Sequence, residues 1–97
     1  MKTSELAGAA LDWAVAKCEG LLHDDGTVSD YWQPSELWEQ AGPIIERERI
    51  SWADYGKFFK AGDYRGPTPL IAAMRCFVAS KLGDEVEIPE QLLGEGK

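Results

Sequence analysis

Residues 66–89, GPTPLIAAMRCFVASKLGDEVEIP, decide the fold class. Thr68 suits a helix N-cap, because its hydroxyl can accept a backbone N–H of the first turn. Pro69 suits the first helical position, where its missing donor costs nothing. No glycine or proline interrupts residues 70–82, and Gly83 supplies the positive-φ residue that commonly ends a helix. Val86 and Ile88 then alternate with Glu85 and Glu87 up to Pro89, the pattern of a short half-buried strand. A buried helix running into a strand implies an α+β protein.

Working outward, Thr3 or Ser4 can cap a first helix that runs to Lys17 or Glu19 and stops at Gly20. At 100° per residue, Ala7, Leu11, Ala14, Val15, Cys18 and Leu22 share one apolar face. Leu6, Ala10 and Trp13 share a second, which leaves Gly8, Asp12 and Glu19 as a narrow wet strip. The alanines permit close approach to a neighbour, and the Ala72, Cys76 and Ala79 row offers a matching surface. Between the long helices, His23, Asp24, Asp25 and Gly26 form a turn, and residues 27–32 can be extended. Pro34 and Ser35 start a short helix over residues 36–40, which Gly42 and Pro43 end. Residues 44–52 are a strand candidate with charged faces, and residues 55–61 are another, with Phe58 or Phe59 inward. The expected architecture is therefore a small, mostly antiparallel sheet, including residues 86–88, packed by N-terminal and C-terminal long helices in a helix, sheet, helix sandwich. Residues 1–97 read as one domain, with 94–97 a frayed tail.

Composition bounds the function. The chain has 97 residues, 44% of them hydrophobic, with four Trp, three Tyr and three Phe. That aromatic area identifies a folded chain and not a disordered one. The formal charge of -7 opposes a generic grip on DNA or RNA, which draws its free energy from cations displacing counterions. Cys18 and Cys76 each lie among Ala, Val and Phe, without metal or redox spacing, and read as small core residues. No apolar run reaches the length of a membrane span, and residues 1–5 lead into an amphipathic helix and not a secretion signal, so the expected location is cytoplasmic.

Three stretches resemble the NinX-like proteins of lambdoid phages, a family of uncharacterised function among accessory genes. They are KTSEL at residues 2–6 with GAALDWAVAK at 8–17, GPIIERE at 42–48, and GPTPLIAAMRC at 66–76 with GDEV at 83–86. The pattern departs at Ser35, Glu36, Leu37 and Trp38, where such proteins more often read Ser-Thr-Asp-Trp, so a polar role of that Thr-Asp pair does not carry over. The resemblance implies a phage origin, the host-cell cytoplasm and a helix, sheet, helix arrangement, and it supplies no catalytic residues.

No motif carries catalysis. His23 is the lone histidine, and a calcium loop placed on Asp25 and Gly26 would begin at Leu21 and end at Trp32, without the required carboxylates. A Gly-x-Ser-x-Gly elbow and a phosphate-binding Gly-rich loop are both missing from the sequence. The expectation is a non-enzyme without cofactor or metal. For a small ligand, the first turn after Thr68 exposes unpaired N–H groups, and Arg65 beside Gly66 can add a charged contact to phosphate. Ordinary capping explains the same residues. Tyr31, Trp32 and Trp38, with Trp52, offer faces for stacking, although aromatics more commonly pack in cores. The leading expectation is a protein-interaction module that binds a host or phage protein. The alternative is a nucleotide-binding sponge that sequesters a host defence signal through Arg65, Gly66, Thr68 and the aromatics. The oligomeric state stays open, a homo-oligomer included.

Overall fold

The computed structural model describes residues 1–93; the expectation for 94–97 lies outside the described residues. A 3-10 turn at Thr3–Glu5 precedes helix α1, Gly8–Glu19, and helix α2, Trp38–Glu48. Strands β1, Trp52–Asp54, β2, Phe59–Ala61, and β3, Tyr64–Gly66, follow. Helix α3, Pro69–Leu82, and the short α4, Glu90–Leu93, complete the order.

α3 forms as its sequence dictates. The Thr68 hydroxyl accepts the Ile71 N–H at 3.1 Å, Pro69 stands in the first turn, and Gly83 ends the helix at φ 85° and ψ -165°, a region open essentially to glycine alone. Leu70, Ala72, Ala73, Met74, Phe77 and Val78 are buried. The helix packs on all three strands and on α1 and α2, so it is the element that the others share. Gly66 makes the sheet contact possible. A Cβ there would stand 2.7 Å from the Ala72 amide nitrogen and 2.9 Å from Ile71 Cγ2. Arg75 fastens two further segments to α3, its Nε donating to Leu6 O at 2.7 Å and its Nη1 to Arg65 O at 2.6 Å.

The strands form an antiparallel sheet in the order β1-β2-β3. Trp52 pairs with Ala61, which pairs with Tyr64, while Ala53, Lys60 and Arg65 stand in register on the opposite face. Alternation thus turns the buried Ala61 and Gly66 toward the core and the exposed Arg65 outward. The architecture is α+β with an antiparallel sheet, as expected, but its layering differs from a sandwich. α1 lies against α3, as the small residues on both helices anticipated, and α3 supplies the extensive helical contact with the strands.

Several local expectations are corrected. α2 continues through Gly42 and Pro43 to Glu48, where a stop and then a strand over 44–52 were expected. Proline normally bars the preceding residue from helical geometry by clashing with its Cβ; Gly42 has none. Pro43 forfeits one backbone bond, and its ring is exposed. In exchange, helical spacing puts the buried Ala41 and Ile44 and the partly buried Ile45 on one side. The short helix expected at 36–40 accordingly begins later and runs further. Arg47, which as a strand residue would have been solvated, reaches back to both Glu19 carboxylate oxygens at 3.0 and 2.6 Å.

The first helix begins at Gly8, and Thr3 is no cap. It is fully buried, its hydroxyl donating to Gly83 O at 2.6 Å and its N–H to Asp84 O at 2.7 Å. Residues 86–88 are not a sheet strand. They alternate as expected, with Val86 and Ile88 buried, but their neighbour is the N-terminus: Glu85 bridges to Lys2, and Val86 exchanges bonds of 2.9 Å with Met1. Residues 27–32 form no strand, whereas the turn at His23 to Gly26 is present, closed by Gly26 N–H to His23 O at 2.9 Å. Both cysteines are free and packed at the core margin, and burial pushes the Cys18 thiol up to about 11. No helix among the described residues is long and apolar enough to cross a membrane.

Candidate functional site

The segment between α1 and α2 has little regular structure, and its position is set by side chains of α1. Trp13 donates its indole N–H to Gly26 O at 2.8 Å. Trp32 reaches back and donates its own to Asp12 O at 3.1 Å. The Asp12 carboxylate accepts the Ser35 N–H at 2.9 Å through Oδ1. These three bonds span 13, 20 and 23 residues of sequence, so they anchor a long loop that backbone pairing leaves free.

They also shape a cleft of about 360 Å³. Trp13, Trp32 and Val28 contribute apolar walls, with Pro89 and Leu92 from the C-terminal segment. Asp12, Asp30 and Glu36 contribute charge, all of it negative among the described lining residues. Asp12 is the unusual member. It is only 6% exposed, in place of the wet position expected for it, because the loop folds over that side of α1. Burial pushes its carboxyl above the ordinary aspartate value of 3.8, against the opposing pull of Ser35. The neighbouring Ser35 hydroxyl is buried without a well-formed hydrogen bond among the described residues.

A second aromatic region lies at the β1 end of the molecule. Trp38 at the start of α2 meets Trp52 at a centroid distance of 6.1 Å, and Trp52 meets Phe59 edge-on at 5.8 Å. On the other face of the sheet, Tyr55 stacks on Phe58 at 5.2 Å and the Arg65 guanidinium lies 4.7 Å from the Phe58 ring centre. Trp38, Trp52 and Tyr55 remain 50%, 39% and 58% exposed. Lys60 stands opposite Arg65 in the sheet register, which makes this outer face locally basic in an acidic chain.

The six residues singled out from sequence thus fall in separate places. Trp32 lines the cleft, and its neighbour Tyr31 is 84% exposed. Trp38 joins Trp52, and Arg65 joins Phe58. Gly66 and Thr68 are engaged with the first turn of α3, by close approach and by capping. Sequence reasoning assigned Trp13 to the core, where it is, but missed that it also walls a cleft with Asp12, Gln33 and Glu36. The signal was a lone aspartate set between Leu11 and Trp13 in the apolar, alanine-rich first part of the helix, ahead of Lys17 and Glu19, since a charge in such a setting needs a partner from elsewhere in the chain.

His23 belongs to its turn, its Nδ1 lying 3.3 Å from Thr27 Oγ1. Among the described residues no group of three or more His, Cys, Asp or Glu is placed to hold a metal ion. No curated protein sequence matches the chain. The stretches that resemble NinX-like proteins build α1, α2 and α3 and the approaches to them, the frame that holds both aromatic regions in place. The family model described as Bacteriophage P22, NinX matches residues 2–81, most of the chain, and the chain belongs to that family.

Proposed function

We propose that this phage-family protein acts by binding and not by catalysis, as an accessory protein that engages a host or phage protein in the cytoplasm of the infected cell. The observation that carries this reading is the exposed aromatic pair Trp38 and Trp52. Large aromatic side chains supply contact area at low entropic cost and are enriched at the centres of protein interfaces. Here they come from two different elements, α2 and β1. A partner seated on them would therefore read the folded arrangement and not a linear segment. Lys60 and Arg65 stand on the opposite face of the same sheet, from where their field would speed encounter with an acidic partner.

The test is co-purification from infected cells with wild-type protein and with the Trp38→Ala/Trp52→Ala double variant. One defined partner should be retained by the wild type and lost by a variant whose fold is intact by circular dichroism. Undiminished capture by the double variant would exclude this surface.

The nucleotide sponge has its own support on the outer sheet face. Arg65 and Lys60 stand side by side there, beside the stacked Tyr55 and Phe58, so charge for a phosphate and a ring for a base lie close together. In this form the aromatic component is Tyr55 and Phe58, with Trp32 and Trp38 elsewhere. Selective binding to the folded state would raise the melting temperature, and Arg65→Ala would remove the rise. A panel of linear and cyclic nucleotides that leaves the melting temperature unchanged would dismiss it.

A further inference from the structure

The cleft between α1 and the loop has features that neither reading of the sheet region uses. Its walls include two tryptophans whose indole N–H groups are already committed to Gly26 O and Asp12 O. What they contribute to a guest is therefore ring carbon, held in position before any guest arrives. Its described charges are Asp12, Asp30 and Glu36, with no lysine or arginine among the lining residues. Lys17 does lie 5.4 Å from the Trp13 ring centre, but it is not part of the lining.

Asp12 supplies a separate indication. It is more than nine-tenths buried, yet it lines the cleft. Its Oδ1 accepts from Ser35 N–H, and no lysine or arginine of the described residues forms an ion pair with the carboxylate. A carboxylate so largely removed from water lacks the counter-ion that burial of a charge normally demands. A cation would provide it. An anion would meet three carboxylates, and a neutral apolar guest would leave the carboxylate desolvated and unpaired.

We propose that this cleft binds an organic cation, an alkylammonium or guanidinium group, set against the Trp13 and Trp32 rings with Asp12 as its buried counter-ion and Asp30 and Glu36 at the rim. Aromatic faces attract such cations through the ring quadrupole, more strongly where water is excluded. The volume lies at the lower end of small-molecule sites, which fits one amine-bearing chain and not a dinucleotide. The same chemistry is presented by a free polyamine and by a lysine or arginine side chain. The site is independent of the aromatic region at β1 and stands whether or not a protein binds there.

The test uses purified full-length protein and the four tryptophan indole N–H signals in a nitrogen-proton correlation spectrum. Butylammonium, spermidine, Nα-acetyl-lysine amide and the uncharged control butanol are titrated separately. Butylammonium should shift the Trp13 and Trp32 signals saturably and leave Trp38 and Trp52 in place, while butanol should do neither. Glu36→Gln, an exposed substitution, should weaken binding about tenfold, and Asp12→Asn should weaken it at least as much. Tighter binding of spermidine than of the lysine amide would identify a free polyamine as the guest, and the reverse order a partner's side chain. No saturable shift with any of the cations at tens of millimolar would overturn the proposal, as would equal binding of butanol or undiminished binding by Glu36→Gln.

Discussion

The four tryptophans divide into two pairs that do opposite things with the same side chain. Trp13 and Trp32 each hand their indole N–H to a backbone carbonyl across the gap between α1 and the following loop. Their polar atoms are consumed in joining segments that no ladder of backbone bonds connects. Trp38 and Trp52 lean on one another at the surface, where ring packing adds modestly to stability and much of each ring still faces water. The difference shows where this small protein needs aromatic side chains to fold and where it carries them exposed. A ring that joins two segments is a structural part, whereas an exposed pair supported by a well-packed helix and sheet is available for something else.

The largest expected effect that would break this division is at Trp13. Trp13→Ala should cost about 3–5 kcal/mol, because it removes a buried ring and frees the loop carbonyl it holds. Trp32→Ala should cost about 2–3 kcal/mol, since Trp32 is only partly buried but loses its bond to Asp12 O. Trp38→Ala and Trp52→Ala should each cost about 1 kcal/mol, the value of a surface aromatic pair. Urea denaturation midpoints measured on the four variants would rank them. A cost at Trp38 or Trp52 equal to that at Trp13 would remove the distinction.

A smaller effect sharpens the comparison through pH. Burial raises the Asp12 carboxyl above 3.8, so the folded state binds this proton more tightly than the unfolded state does. Its contribution to stability therefore falls as pH rises from the unfolded value through the folded one. Asp12→Asn removes that slope, so the variant should gain stability relative to wild type as pH rises through the same interval. Glu48 behaves oppositely. Arg47 holds its carboxyl below the usual glutamate range, and the stability it contributes is lost as pH falls through the folded value. The difference between wild-type and Asp12→Asn stability, followed from acid to neutral pH by thermal unfolding, isolates Asp12. A flat difference would mean that Asp12 is effectively solvated. The least change is expected from Arg47→Ala, because half of that side chain is exposed and such ion pairs contribute little.

What could be read from sequence follows the range over which each signal acts. Thr68, Pro69 and Gly83 are local signals, each satisfied within a few residues, and α3 begins and ends where they place it. Gly20 likewise closes α1 in a left-handed conformation at φ 72°. Gly42 and Pro43 looked equally local, but they compete with the apolar spacing of Ala41, Ile44 and Ile45, and tertiary packing decided the outcome. The strand at 86–88 failed for a different reason. Its alternation describes which side is buried and is silent about the neighbour, which proved to be the first residues of the chain.

The candidate sites were legible only in parts. Arg65 and Trp38 were recognised as chemically capable, yet the rings they meet, Phe58 and Trp52, are brought to them by the sheet register and by α2. Asp12 was misplaced because helical periodicity assigns a charged residue to solvent unless something covers it. The covering segment lies about 20 residues away and has no periodic pattern of its own.

The most direct test of the division between the two pairs is the rate at which the four indole N–H protons exchange with solvent, measured by nuclear magnetic resonance on the wild-type protein. Trp13 and Trp32 should exchange slowly, Trp13 the slower because it is the more buried, and Trp38 and Trp52 should exchange as freely as exposed indoles. Comparable protection of all four, or faster exchange at Trp13 than at Trp38, would contradict the account.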